Sequence, residues 1–532
     1  MAPTLQAEGA PAFDDARGCK EWLNALALTN IPQAQSQVLE ALRGLNAAQA
    51  APLERLKCLE LLRDKVAFLQ GEQRSRYFGK TLPLSPNDSA AWATGAALLA
   101  AMEEGYRRSL ADGQAPELAA HRALIAHRIV RYIGAQMLFH ALVYRRFDPA
   151  TWQRLHHEYA QAEAAGVAEE RVRDSLDGEQ DGTSSIADAY LQATMLQAAY
   201  LAEMTAAQID FAEALLRQWV AKLRVLDPSA IPAADPLPLV VDLASSIGAR
   251  PLPRSELTVM HRAFDVDGLS KSLRKRIHAL QSDEEPARLG LPPQAAGLDL
   301  PMQLRRLHKL WCEGAPPRPP GKVSEIKLAG IVFTLAEVHF FVGGGKLFEQ
   351  PDRTRELTRE EKQDMEVFGR VSERTHSRML AEHNFSVEPW SVVEEMPGTW
   401  RLQRPATASK GVAIGRLAGV RLGEAGGFFL GVIRALAQET DGRIVATIAL
   451  FPGKPEPLAV RAGDARHRAN AQWTQGFRLP ALERLQIPVS LVVPGGMAMR
   501  GRGIEVWQDG ARECTVHEVL ERGADFDRVA VF

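Results

Sequence analysis

The chain has 532 residues, 46% of them hydrophobic and 24% charged, and a formal net charge of −2. That length exceeds one ordinary core and predicts three or four domains of roughly 100–200 residues. The near-neutral balance excludes a global field that would gather nucleic acid or anionic membrane.

Four cysteines, Cys19, Cys58, Cys312 and Cys514, form no Cys-x-x-Cys pair and signal neither a disulfide framework nor a zinc site. The first twenty residues lack the apolar core of a signal peptide. No run reaches the roughly 18 apolar residues of a spanning helix. The expectation is a cytoplasmic protein without membrane insertion. Its Ala and Arg content suggests a GC-rich bacterial genome.

In chain order, residues 1–227 read as an all-α domain. Leu56, Leu59, Leu62, Val66 and Leu69 share one helical face, and Ile125, Ile129, Ile133 and Met137 recur every four residues. Thr205-Ala-Ala-Gln208 reads as a capping box, with Met204 and Ile209 as its hydrophobic staple. The helix it opens is expected to run through Leu215, Trp219 and Leu223 to Asp227-Pro228. Polar residues Asp174–Ser185 are expected to form a mobile loop. A Pro-rich linker leads to a second helical segment, 238–313, and "EGAPPRPPGK" marks the next linker.

A mixed segment, 323–383, follows. "KVSEIKLAGIVFTLAEVHFFVGGGK" does not separate strand from helix, whereas Thr358-Arg-Glu-Glu361 reads as another capping box. After residue 384 short apolar runs alternate with turns such as Asp441-Gly442 and Asp509-Gly510, which predicts an antiparallel β-barrel or compact sandwich over 384–532. Whether 466–532 completes one barrel or forms a separate β unit is open at this stage. The predicted fold class is multidomain α + β, a large helical region followed by an antiparallel β-barrel.

Chemistry-bearing motifs are sparse. Gly343-Gly-Gly-Lys346 lacks the hydroxyl residue and the spacing of a phosphate loop and reads as a turn. His156 and His157 are adjacent, so they do not share a helix face, and no third ligand lies at usable spacing. No nucleophile elbow occurs. No catalytic constellation emerges, and a non-enzymatic protein without a cofactor is expected.

Arginines recur at four-residue spacing in "GRVSERTHSRM": Arg370, Arg374 and Arg378. A guanidinium is a planar fork of donors suited to phosphate and to the Hoogsteen edge of guanine. The same spacing at Arg250/Arg254 and Arg355/Arg359 shows how easily it arises as a solvated helix face. Its position sets the later instance apart. An Arg-x-x-x-Arg just upstream of a small β-barrel, followed by "VEPWSVVEE", "WRLQR", "IGRLAGVRL", "FFLGVIRAL" and "GRIVATIALF", resembles the PilZ domain, a bacterial receptor family for cyclic di-GMP. The whole chain also looks like long proteobacterial proteins with a helical N-terminal region before a PilZ-like part.

The resemblance implies cyclic di-GMP as ligand, gripped by Arg374 and Arg378 with Arg370 assisting. It also implies an unidentified protein partner engaged by the helical region, with output in motility, pili, attachment or exopolysaccharide. The family's second motif, Asp/Asn-x-Ser-x-x-Gly, is degenerate here. Glu394 stands for its acidic residue and keeps an acceptor, Met396 stands for Ser, and Thr399 stands for Gly. An interaction scaffold whose barrel no longer binds nucleotide is the alternative.

Overall fold

A computed structural model describes residues 12–13, 15–111, 116–176, 182–230, 237–282, 284–314, 321–322, 328–351, 362–363, 366–367, 383, 385–405, 407, 410–423, 426–463, 472–508 and 510–532. The chain divides into two compact units, residues 1–80 with 84–318, and residues 81–83 with 319–532.

The first unit is built on helices α1 (Ala16–Ala25), α2 (Ile31–Ala47), α3 (Pro52–Gln73), α4 (Pro86–Ala111), α5 (Arg122–Ala141) and α6 (Ala150–Ala164). A two-strand ribbon follows, β1 (Val172–Arg173) with β2 (Thr183–Ser184), and then α7 (Ile186–Gln197) and α8 (Ala206–Trp219). The apolar stripes read from sequence are buried: Leu56, Leu59, Leu62, Val66 and Leu69 on α3, and Ile125, Ile129, Ile133 and Met137 on α5.

The capping box is present at α8. Thr205 accepts from the Gln208 amide at 3.3 Å, and Gln208 accepts from the Thr205 amide at 2.8 Å. It opens a shorter helix than expected. After Trp219 the chain makes a 3₁₀ turn, Val220–Lys222, and enters β3 (Arg224–Leu226). Pairing of β3 with β6 (His261–Asp265) competes with helix here and wins.

Strands β4 (Leu237–Asp242) and β5 (Arg250–Leu252) complete a four-stranded antiparallel sheet in the order β3-β6-β4-β5. Segment 238–313, read as helical, therefore contributes three strands before α9 (Asp267–Gln281) and α10 (Leu300–His308). Its strands are short, and their apolar runs look alike in strand and helix.

The second unit resolves the ambiguous apolar run. It splits into β7 (Leu328–Phe333) and α11 (Leu335–Val342). Gly343-Gly-Gly-Lys346 ends that helix. The Gly345 amide donates to the Phe340 carbonyl at 2.9 Å, and Gly344 has φ +72°, a left-handed cap that glycine adopts freely.

β7 joins β8 (Glu388–Met396), β9 (Thr399–Arg404), β10 (Leu417–Leu422), β11 (Phe429–Gln438) and β12 (Ile444–Leu450) in a closed antiparallel barrel, ordered β10-β11-β12-β9-β8-β7. A second closed barrel comprises β13 (Glu456–Ala462), β14 (Thr474–Leu479), β15 (Ser490–Pro494), β16 (Gly503–Trp507), β17 (Ala511–Arg522) and β18 (Phe526–Val531), ordered β13-β14-β15-β18-β17-β16. The question left open for the C-terminal β region is thus answered by a second, separate barrel, and the first recruits a strand from the segment expected to lie upstream of it. Closure leaves neither sheet with a free edge.

The barrels share one apolar core. Val332, Val338, Leu417, Leu430, Val432 and Phe451 from the first side meet Phe477, Leu479, Val492 and Phe526 from the second. β15 is buried on both faces: Val492 joins this shared core, while Leu491 and Val493 pack with other strands of the second barrel. That explains its unbroken apolar run. Across the same boundary Asp525 accepts from the Leu417 amide at 2.9 Å, and Arg434 pairs with Glu521 at 2.8 Å.

Phe526 is fully buried in this boundary. Phe526→Ala is expected to cost about 3–5 kcal/mol and to loosen both barrels together. Hydrogen exchange read on β9 and β17 peptides checks this: protection should fall in both, not in the second barrel alone.

Candidate functional site

Of the four residues singled out in the sequence, Arg370, Arg374 and Arg378 lie outside the described residues. The structure does fix both ends of the stretch that carries them. Upstream, the Gln350 amide group bonds the backbone of Trp473, at the start of β14, through both its oxygen and its nitrogen, at 3.1 and 3.0 Å. Downstream, the Ser386 amide donates to Glu337 of α11 at 2.8 Å, and Phe385 packs on Phe340 with ring centroids 5.3 Å apart. The segment therefore leaves from the second barrel and returns to α11, the helix buried between the barrels.

Glu337 is itself buried. Besides Ser386 it accepts from the Phe333 amide at 2.9 Å and from Lys410, whose ammonium also donates to the Ser386 carbonyl at 2.6 Å. Three strands of sequence thus converge on one carboxylate just before β8.

Glu394 lies on β8. A bulge between Val392 and Glu394 shifts the register there and sets Glu394 opposite Arg401 of β9, with which it pairs at 3.4 Å. Met396 and Thr399 flank a tight Pro397-Gly398 turn, and Gly398 has φ +67°. "EEMPGT" is therefore a β-hairpin whose acidic residue is engaged by a neighbouring arginine. The Cβ of Thr399 sits on the strand, where it costs nothing.

A second constellation lies wholly in the helical unit, and sequence reading missed it. Arg63 of α3 and Arg128 of α5 are buried, and Arg131 of α5 is mostly so. They surround Asp174, which is 1% exposed. Arg63 reaches Asp174 at 2.5 Å and Arg131 at 3.3 Å. Arg128 grips Glu60 with two bonds of 2.9 and 3.0 Å, and Tyr106 donates to the same carboxylate at 2.6 Å.

Of the expected mobile loop Asp174–Ser185, residues 177–181 lie outside the described residues; at its start the Asp174 carboxylate pins α3 and α5, and its amide donates to Gly182 across the β1–β2 ribbon at 2.8 Å. The available signal was arginine inside an apolar helical stripe, Arg128 beside Ile129, which demands a buried partner.

Electrostatics follow from this packing. Burial by itself pushes the Asp174 carboxyl up, but the guanidiniums of Arg131, Arg63 and Arg128 outweigh it and hold it well below the usual carboxylate range. Burial, then Arg131 and Arg128, keep His127 neutral.

Beside the cluster is a cavity of about 380 Å³. Arg63, Arg128, Arg131 and Tyr132 stand at one end, and Val66, Leu99, Leu138, Leu196 and Leu216 form its walls. Small residues make the room: Ala67, Gly134, Ala135, Ala189 and Ala193 all line it. Gly134 brings α5 so near α7 that a Cβ there would meet Ala193 at 3.0 Å.

The buried His156 is a structural residue. Its Nδ1 accepts from the Tyr190 hydroxyl at 2.7 Å and its Nε2 donates to the Ile247 carbonyl at 2.8 Å, so both ring nitrogens are engaged.

Asp174→Asn is expected to destabilise the helical unit by about 3–5 kcal/mol, because it strips a partner from buried cations. Since the Asp174 pKa is depressed in the fold, the unfolded chain binds more protons as pH falls below about 4, the ordinary aspartate value. Stability is therefore present above that pH and lost on further acidification. Urea unfolding at pH 7 and at pH 3–4 checks both points: the wild type should weaken in acid, and the variant should be weak at both and less pH-dependent.

Comparison with known proteins places this region. No curated protein and no solved structure matches the chain. Residues 17–230, the span of α1 to α8 with the Asp174 cluster, match the family model described as the N-terminal domain of the cyclic-di-GMP receptor FimW.

Proposed function

We propose that the chain is a non-enzymatic, cytoplasmic bacterial receptor for cyclic di-GMP, with a PilZ-like β unit as its ligand-binding part. The observation that carries this reading is the match of residues 17–230 to the N-terminal domain of a cyclic-di-GMP receptor. The β architecture adds support. An arginine-bearing segment is tethered at one end to the second barrel and at the other to α11, between two closed barrels.

In this reading Arg374 and Arg378 supply the bidentate donors for phosphate and guanine, with Arg370 assisting. Glu394, on the hairpin beyond the tether, faces the ligand together with its partner Arg401. Ligand capture orders the arginine segment against the barrels. The change can be no larger than the ligand's preference for the ordered arrangement. The helical region then reads that change out to a protein partner controlling motility, pili, attachment or exopolysaccharide.

One observation favours the alternative, a scaffold that has lost the nucleotide. Glu394 is already engaged by Arg401, and Met396 offers no hydroxyl.

Titration calorimetry with cyclic di-GMP separates the two readings. A charge-assisted bond contributes about 1.5–3 kcal/mol. Arg374→Ala and Arg378→Ala are therefore each expected to weaken binding by roughly tenfold to more than a hundredfold. Absence of binding to the wild type would establish the scaffold reading instead.

A further inference from the structure

Two of the four free cysteines meet in the helical unit. Cys19 of α1 and Cys58 of α3 are both buried, and the Cys19 Sγ donates to the Cys58 carbonyl at 3.9 Å. One turn back along both helices, the Ala16 amide donates to Glu54 at 3.0 Å. Two contacts one turn apart on each helix set α1 and α3 side by side and running the same way. That register turns the two thiols toward each other, close enough for a thiol–thiol hydrogen bond.

The pair is chemically unequal. The hydrogen bond to Cys58, and then burial, hold the Cys19 thiol far above the ordinary cysteine value. The same bond draws the Cys58 thiol below its ordinary value, against the effect of burial. Cys58 is therefore the thiolate of the pair and Cys19 the resolving thiol.

Helix α1 is also lightly held. Cys19 is its only buried residue, whereas α3 buries Leu56, Leu59, Leu62, Val66 and Leu69 besides Cys58. An element with so little buried surface opens locally at less cost than the whole domain unfolds. Opening of α1 uncovers both thiols together.

We propose that Cys19 and Cys58 form a reversible dithiol switch, which hydrogen peroxide oxidises to a disulfide that fastens α1 to α3. The Cys58 thiolate attacks one peroxide oxygen, the O–O bond breaks, and the Cys58 sulfenic acid forms with release of water. The Cys19 sulfur then attacks the Cys58 sulfur, the S–O bond breaks, and a second water carries away the Cys19 proton. Two thiols and one peroxide thus give one disulfide and two waters. The bond joins residues 39 apart in sequence and so restricts the opened state of α1. In the cytoplasm proposed above, such a bond is transient and redox-sensing. The switch is independent of the cyclic di-GMP reading and stands in a different unit.

The test treats the full chain, without denaturant, with a small excess of hydrogen peroxide. The reaction is quenched with N-ethylmaleimide and mapped by peptide mass spectrometry. The expected product is lighter by about 2 Da, the two hydrogens of one disulfide. Its cross-linked peptide joins Cys19 to Cys58, while Cys312 and Cys514 still take the maleimide. Dithiothreitol should restore all four thiols. Hydrogen exchange in α1 peptides should slow at least about tenfold on oxidation. Cys58→Ala should remove both the cross-link and the response of α1 to peroxide.

A cross-link to Cys312 or Cys514 instead, or oxidation of Cys19 or Cys58 to sulfinic acid with no cross-link, would overturn the proposal. So would thiols that stay reduced until urea unfolds the helical unit, or α1 exchange that is unchanged in the cross-linked chain. Each of these outcomes is read on the wild type, so the test stands even where the variant fails to fold.

Discussion

A buried carboxylate that must be satisfied by donors from distant parts of the chain is the constraint on which both units depend. In the helical unit it is Asp174, held by Arg63 and Arg131 from two helices. In the β unit it is Glu337, held by two amides and an ammonium that are 4, 49 and 73 residues away. An ionised carboxylate pays a large desolvation cost, which only a full set of donors offsets. Each such group therefore fixes the geometry of every segment that serves it. The second barrel repeats the device with Asp527, also buried, which accepts from the Gly496 amide at 2.9 Å and from the Ala498 amide at 3.4 Å.

One of these anchors sits next to the place where a ligand is proposed. Glu337 sets where the arginine segment re-enters the first barrel, and Lys410 and Ser386 lock that point. Asp174 sets the guanidiniums that line the cavity of the helical unit. Donors fixed in place by such a carboxylate lose little entropy on binding. The barrels add stiffness of another kind. Their shared core, running from Val332 to Phe526, joins the two closed sheets into one packed body.

Strain marks the same neighbourhood. Thr334, between β7 and α11, adopts φ +64°, a backbone conformation rare for a residue with a Cβ. Its hydroxyl accepts from the Glu337 amide at 3.3 Å, capping α11. The cap and the Glu337 bonds together hold the strand-to-helix corner that the sequence alone left undecided.

Much was legible in the residues themselves. Helical stripes on α3 and α5, the Thr205–Gln208 cap and most strands after residue 387 follow from side-chain period and local hydrogen bonding, which act within a few residues. The sequence also set out the arginine spacing and the altered residues Glu394, Met396 and Thr399. Tertiary structure decided everything that rests on partners far apart in the chain. It turned Arg224–Leu226 from helix to strand, divided the β region into two barrels, and paired Glu394 with Arg401. It also buried Asp174, 111 residues from Arg63. The physical reason is common to all of these. Period and propensity are local quantities, whereas sheet closure, ion pairing in a core and the volume of a cavity depend on which distant surfaces meet.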